Sequence, residues 1–399
     1  MNHVASRVQR TSNSGLDKLF QTAKADQIIF SAGYPDANLF PQKALAQAAA
    51  TTFTTSSQNL LQYKNSLGLA SLREKLVART ADKDNIKTDA THVMLTQGAQ
   101  QGIDLAARLI LNENDGLIVE GPTYIGALAA FQAYEPTFYE VPIEADGMNV
   151  EILEKILKQH NIKMIYTVPD FQNPTGAVMS LAKRQRVLEL ANEYDVVILE
   201  DGTYRDLRYS GESLPTIKSF DTQGRVIYVS SFSKIIAPSL RLGWLTAEDH
   251  LFKDLLNLKS AADIESSNLT MSILNEYLEE NELDDHIEIL KNNYREKKNA
   301  MIQAMKAYMP RNAKFTDPQG GFFIWLTMPT GFDMDRFSDQ QLINTNVRFT
   351  PSTNLYPSGS IKNGARINFT GESISNIKLG IQKLGEALSQ AWQDQTVNV

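Results

Sequence analysis

The 399-residue chain contains no cysteine. That absence excludes a disulfide framework, a thiolate metal site and a thiol nucleophile, and it fits a reducing compartment. Long apolar runs are missing too: none approaches the ~20 residues that a membrane helix needs. The first residues, Met1-Asn2-His3-Val4-Ala5-Ser6-Arg7, lack a hydrophobic signal core. No block of basic residues stands out, and the net charge is −7, so nucleic acid is not the expected partner. There are no internal repeats and no low-complexity linker. The expectation is a cytoplasmic protein with no membrane partner and no metal.

What is present is an alternation of apolar strands and helices. Strands are expected near Val93–Thr96, Leu117–Glu120, Thr137–Val141, Met164–Val168, Val196–Glu200, Val226–Ser230 and Leu242–Thr246. Helices between them are expected to start near Gly98, Ile125, Val150, Ala182 and Ile217. Such alternation predicts an α/β fold whose mostly parallel, seven-stranded sheet is sandwiched by helices. After His250 come three helical stretches, then short strands at Gly321–Leu326 and Ala365–Phe369, then a helix over Ile374–Gln393. That predicts a smaller α+β domain. The expected division is an arm or lid over 1–30, a large domain over 41–285, and a small domain from 31–40 with 286–399.

The strand ends carry the chemistry, because ligands in open α/β sheets bind there. Val226–Ser230 runs into Ser231-Phe232-Ser233-Lys234, with Arg241 and Gly243 close behind. A desolvated lysine has a lowered pKa, and its neutral amine can form a Schiff base. Two hydroxyls and an arginine beside it suit a phosphate, which together suggests pyridoxal 5′-phosphate. Gly98-Ala99-Gln100 joins a strand to a helix whose free N–H groups also suit a phosphate. Tyr124 follows the next strand and could lie on an aromatic ring, or simply pack on a helix. Asn173, in Gln172-Asn173-Pro174-Thr175-Gly176, offers an amide to a phenolate oxygen. Asp201 could pair with a ring nitrogen, or cap the next helix, and Tyr204 could donate to the ring's 3-oxygen. Arg366 stands among apolar neighbours, where its fork suits a carboxylate.

In order and spacing, Gln172 to Gly176, Asp201 with Tyr204, and Ser231 to Lys234 followed by Arg241 and Gly243 resemble the fold-type-I pyridoxal-phosphate-dependent aminotransferases of the class I/II group. The resemblance runs from Phe30 to the C-terminus. The Lys-to-Arg spacing, Leu61-Gln62-Tyr63 and Thr123-Tyr124-Ile125-Gly126-Ala127-Leu128 look most like the subgroup of 2-aminoadipate and kynurenine aminotransferases. The resemblance implies Lys234 as the Schiff-base lysine, Asp201 at the pyridine nitrogen, Asn173 and Tyr204 at the 3-oxygen, and Tyr124 on the ring face. It puts the phosphate on Gly98, Ala99, Gln100, Ser231, Ser233 and Arg241, with Tyr63 reaching it from the second subunit of a homodimer. The substrate carboxylate goes to Arg366, with Asn173, Gly33 and Tyr34 also around the substrate and Leu39 and Phe40 bordering its side chain.

The sequence departs from the family at Gly202, where many members carry a second acid, at Lys64–Gly68, and at Leu16, which stands about where 2-aminoadipate enzymes use an arginine. The expected activity is transfer of an amino group from an amino acid to a 2-oxo acid such as 2-oxoglutarate, by a ping-pong route. A β-lyase on the same scaffold is the competing enzyme reading. An aminotransferase-like transcription regulator is the competing non-enzyme reading.

Overall fold

The computed structural model describes residue 5 and residues 7–8, 26–55, 59–340, 342 and 345–397. Most of the expected arm, including Leu16, lies outside the described residues. The chain opens with β1 (Ile28–Ile29), α1 (Gln42–Thr55) and α2 (Ala70–Asp84). Then comes the alternating part: β2 (Val93–Thr96), α3 (Ala99–Ile110), β3 (Gly116–Gly121), α4 (Ile125–Gln132), β4 (Thr137–Glu144) and β5 (Gly147–Met148). It continues with α5 (Val150–Gln159), β6 (Ile162–Thr167), α6 (Leu181–Glu193), β7 (Val197–Asp201), β8 (Val226–Ser231) and β9 (Gly243–Thr246). Three helices follow, α7 (Asp249–Asp263), α8 (Asn268–Glu280) and α9 (Leu283–Tyr308). The last part holds β10 (Lys314–Phe315), β11 (Phe323–Thr327), α10 (Met334–Gln340), β12 (Val347–Arg348), β13 (Thr350–Pro351), β14 (Gly364–Asn368) and α11 (Ile374–Val397).

The large sheet has eight strands in the order β2-β9-β8-β7-β6-β3-β4-β5. The pairs from β4 through β8 are parallel, and β9 runs antiparallel between β2 and β8. The strand beyond the expected seven is β5, a two-residue edge piece paired to β4. Its brevity hides it from any periodicity in sequence.

The continuous apolar runs of β3, β6 and β7 fit burial on both faces. Ile118, Ile165 and Ile198 pack on one face with Leu153 and Leu157 of α5 and Val187 of α6. Val119, Met164 and Leu199 face the other way, into the cluster that holds Ile103 of α3. Burying each such side chain contributes on the order of 2 kcal/mol. Local signals also act: Asn149 caps α5 by accepting from Ile152 N at 2.8 Å.

One local expectation fails. The helix expected at Ile217 is a single 3-10 turn, Lys218–Phe220. The buried Glu200 carboxylate takes the N–H groups of Ile217 and Lys218 at 2.9 and 2.7 Å, which ties that turn to β7. The Leu60–Tyr63 stretch begins as a turn, with Gln62 N donating to Asn59 O at 3.3 Å.

After α9 a second sheet forms, antiparallel throughout, in the order β10-β11-β14-β13. Arg366 lies on β14, interior to this sheet, opposite Trp325 and Thr350. Strand β1 pairs with β12, so the start of the described chain sits beside its late part. Among the described residues, no helix is long and apolar enough to cross a membrane.

Candidate active site

Strands β3, β6, β7 and β8 end on one edge of the large sheet, at Gly121, Thr167, Asp201 and Ser231. Strand β2 ends there as well, and β9 begins there, since Thr96 and Ser231 both pair with Gly243. The turns leaving that edge enclose a cavity of about 550 Å³. Among the site residues expected from sequence, Gly98, Tyr63, Leu39 and Phe40 do not line it, and the others do.

Lys234 sits on the turn after β8. Its amine donates to Gly33 O at 3.0 Å and lies over the Phe322 ring, 5.5 Å from the centroid. Burial, then the nearby Arg366 and Arg241 charges, lower its pKa to about 8. Ser231 Oγ accepts from Ser233 N at 3.0 Å and lies 2.8 Å from Ser233 Oγ, so the two hydroxyls form one group.

Arg241 adopts left-handed backbone, φ 50°, and its Nη2 donates to Gln97 O at 3.0 Å. That contact ties it to the start of α3. Gly98, the residue before α3, has φ 72°, and a Cβ there would lie 2.9 Å from Arg241 Nη2. Only glycine suits both constraints. So Gly98 shapes the turn without lining the cavity.

Asp201 is buried at the end of β7. Its Oδ1 accepts from Thr203 N at 3.0 Å and Thr203 Oγ1 at 2.6 Å; its Oδ2 accepts from Tyr166 Oη at 3.0 Å. Burial raises the carboxyl's pKa against these donors. The Thr203 contacts are those of a capping aspartate, yet the carboxylate also lines the cavity.

Asn173 is held from both sides. Arg366 Nη1 donates to its Oδ1 at 3.1 Å, and its Nδ2 lies 3.5 Å from Tyr204 Oη. The carbonyl side is thereby engaged and the amide N–H₂ faces Tyr204. Burial pushes the Tyr204 phenol up.

Arg366 donates to Ser31 O at 2.7 Å, and its guanidinium stacks 4.4 Å from the Phe323 ring centroid. Its Nε has no partner among the described residues. Burial lowers its pKa to about 10. Tyr124 donates to Gln100 Oε1 at 3.2 Å, which joins the turn after β3 to α3.

Several residues that build the site gave no clear signal in sequence. Tyr166 is one; a tyrosine inside the apolar Met164–Val168 run needs a hydroxyl partner when buried, and that need was the available clue. Glu120 is another. It accepts from Thr167 Oγ1 at 2.5 Å and Gln172 Nε2 at 2.9 Å, so it holds the Asn173 turn, and burial pushes its pKa up to about 7. On that turn's other side, Asp170 pairs with Arg184 at 2.7 Å and Arg205 at 2.9 Å. Phe322 and Phe323 floor the two cations. Leu39 and Phe40, expected beside the substrate side chain, pack on the main apolar cluster instead.

The model of the family described as aminotransferase class I and II matches residues 25–384. The chain belongs to that family. An aromatic-amino-acid aminotransferase of Thermococcus litoralis is 36% identical over 378 residues, 94% of this chain and 90% of that one. A 2-aminoadipate transaminase of Thermus thermophilus is 31% identical, with 96% and 95% of the chains covered. A solved structure of a Pyrococcus horikoshii kynurenine aminotransferase superposes with a TM-score of 0.90 at 34% identity, covering 98% of this chain and 96% of that one.

This aminotransferase is a fold-type-I enzyme that moves an amino group from an amino acid to a 2-oxo acid, and its cofactor is pyridoxal 5′-phosphate. The residues present fit that group. A lysine of lowered pKa, a buried carboxylate and a buried guanidinium with a free Nε converge on one cavity of suitable size.

Proposed function

We propose that the residues around the cavity divide the work of transamination as follows. Lys234 would hold the cofactor through its amine and, once freed, would serve as the base that takes the donor's α-proton and then as the acid that returns it. The lowered pKa of the free amine, about 8, suits Schiff-base formation near neutral pH. The bound cofactor supplies the electron sink for the charge left when that proton departs. Asp201, its carboxylate fixed by Tyr166 and Thr203, would keep the cofactor's ring nitrogen protonated. Asn173 and Tyr204 would supply donors for its 3-oxygen, and Tyr124 would supply an aromatic wall for its ring. Ala99 and Gln100 at the start of α3, with Ser231, Ser233 and Arg241, would hold the phosphate, and Gly98 shapes the turn that places them. Arg366 clamps the donor's α-carboxylate, and Gly33 and Tyr34 border its side chain.

The observation supporting this reading best is the setting of Lys234: a desolvated amine sharing one cavity with Asp201 and Arg366. The second substrate is a 2-oxo acid such as 2-oxoglutarate, and the two half-reactions follow a ping-pong order. Tyr34 is half exposed beside Pro35 and Phe323 on the cavity wall, which favours aliphatic or aromatic donors. The aromatic and kynurenine enzymes among the relatives favour the same class. Screening the twenty amino acids, 2-aminoadipate and kynurenine against 2-oxoglutarate tests this. Preference for acidic donors alone would refute it.

The working form is a homodimer with shared sites in the cytoplasm. Tyr63 is 74% exposed and Leu61 75%, away from their own chain's cavity, which suits a role toward a neighbour's phosphate. Refolding Lys234→Ala together with an inactive Tyr63 variant should restore activity in the mixed dimer, because one site then collects both defects. No recovery despite subunit exchange would place Tyr63 outside the site. The chain divides into a large domain over 41–285 and a small one from 31–40 and 286–399, a reading that the separate eight-stranded and four-stranded sheets support.

A further inference from the structure

The segment from Ser31 to Asp36 crosses the chain as a strap, and Ala32, Gly33, Tyr34 and Pro35 line the cavity. Strap carbonyls meet two of the cavity's three cations. Ser31 O accepts from Arg366 and Gly33 O accepts from Lys234. A shift of the strap therefore changes the cavity wall directly.

The strap's far end is fixed by groups that take no part in the chemistry. Asp36 Oδ2 pairs with Lys297 Nζ at 2.6 Å, and both side chains are buried. Lys297 Nζ also donates to Thr370 O at 2.8 Å, and Thr370 Oγ1 donates to Tyr34 O at 2.7 Å. Asp36 N donates to Tyr294 Oη at 3.2 Å. Tyr294 and Lys297 are three residues apart on α9, so one face of that helix holds the strap. The same Tyr294 ring meets Phe322 edge-on at 5.3 Å, below the Lys234 amine.

A lone buried ion pair is weak evidence for stability, because desolvation offsets much of the attraction. Its value here is geometric. We propose that the Asp36–Lys297 pair is a latch that positions the Ala32–Pro35 strap against the donor's side chain, and so sets donor affinity and size preference. The latch rests on the reading that the strap borders that side chain. Lys297 and Asp36 are positioning residues and touch no reacting atom.

The test uses the cofactor-loaded enzyme. Mixing with excess donor and following the cofactor's visible absorption gives a limiting rate and a half-saturating concentration separately. Two donors are compared: the largest-side-chain amino acid that the wild type accepts, and alanine. Lys297→Met and Asp36→Asn should each raise half-saturation for the large donor about tenfold and for alanine less than about threefold, with cofactor content unchanged and limiting rates within about threefold. Unchanged half-saturation in both variants would overturn the latch. So would equal losses for both donors, or a fall in limiting rate alone. Asp36→Asn keeps the side-chain volume and carries the test if Lys297→Met fails to fold. Tyr34→Ala separates the two levels of the argument. If it leaves donor preference as in the wild type, the strap does not border the side chain. If it alters preference while the latch variants do not, only the latch is wrong.

Discussion

Replacing Lys234 by methionine should make the cofactor-free protein more stable. The amine gives up its proton at about 8 where a free lysine does so at 10.5, because burial and the Arg366 and Arg241 charges disfavour the cation. At 1.36 kcal/mol per pH unit, holding the protonated amine in the fold costs about 3 kcal/mol at neutral pH. Methionine removes that cost and keeps the apolar stem. It also removes the hydrogen bond to Gly33 O, worth about 1 kcal/mol. The net expectation is a gain of about 2 kcal/mol.

The pH dependence has a definite sign. Below about 8 both folded and unfolded chains carry the proton, so the full cost weighs on the wild type. Between about 8 and 10.5 the unfolded chain binds more protons than the folded one, so wild-type stability rises with pH. Above that range the cost is gone. Urea titrations of cofactor-free wild type and Lys234→Met at pH 7 and near pH 10 measure the difference. A large gap at neutral pH that closes in alkali is expected. A variant no more stable than wild type at pH 7, or a gap that ignores pH, would refute the reasoning.

Asp201→Ala should retain cofactor while turnover falls by about 10²–10³, the usual loss when a charge-stabilising contact is removed; this is read from steady-state rates and the absorption of the purified enzyme. Arg366→Lys should raise KM for every donor by about ten- to a hundredfold, since a point charge replaces a two-pronged clamp, with alanine affected as much as larger donors. Asp170→Asn should lower stability by about 3–5 kcal/mol, because Arg184 loses its buried counter-charge and Arg205 keeps only Asp84; thermal melts report it, and KM for the donor should move little.

The large sheet was legible because its strands are continuous apolar runs closed by polar turns. Lys234, Asp201, Asn173 and Arg366 were legible because each is a chemically conspicuous residue at a strand end or inside a strand. What sequence hid depends on partners far along the chain. Glu200 reads as the last residue of a strand, and only the structure shows its carboxylate holding the N–H groups of Ile217 and Lys218. Asp36 reads as turn chemistry beside Pro35, whereas its partner Lys297 lies in the middle of a long helix. Tyr166 reads as core until its hydroxyl meets Asp201. Leu39 and Phe40 follow the strap closely in sequence, but they belong to the 3-10 turn after Asp36 and pack on the main apolar cluster.

The strand order also dictates a timetable for synthesis. Strand β2 finds its one strand neighbour in β9, so Val93–Thr96 waits until Gly243–Thr246 has been translated. At ordinary elongation rates that wait lasts roughly ten seconds, with an apolar strand exposed throughout. Ile28 waits longer still, for Val347. The nascent chain can assemble β3 through β8 on its own, but the Gly98 turn meets Arg241 only after β9 slots between β2 and β8. The phosphate end of the cavity therefore closes only after β9 has emerged, and the Arg366 end, carried on β14, is completed later still.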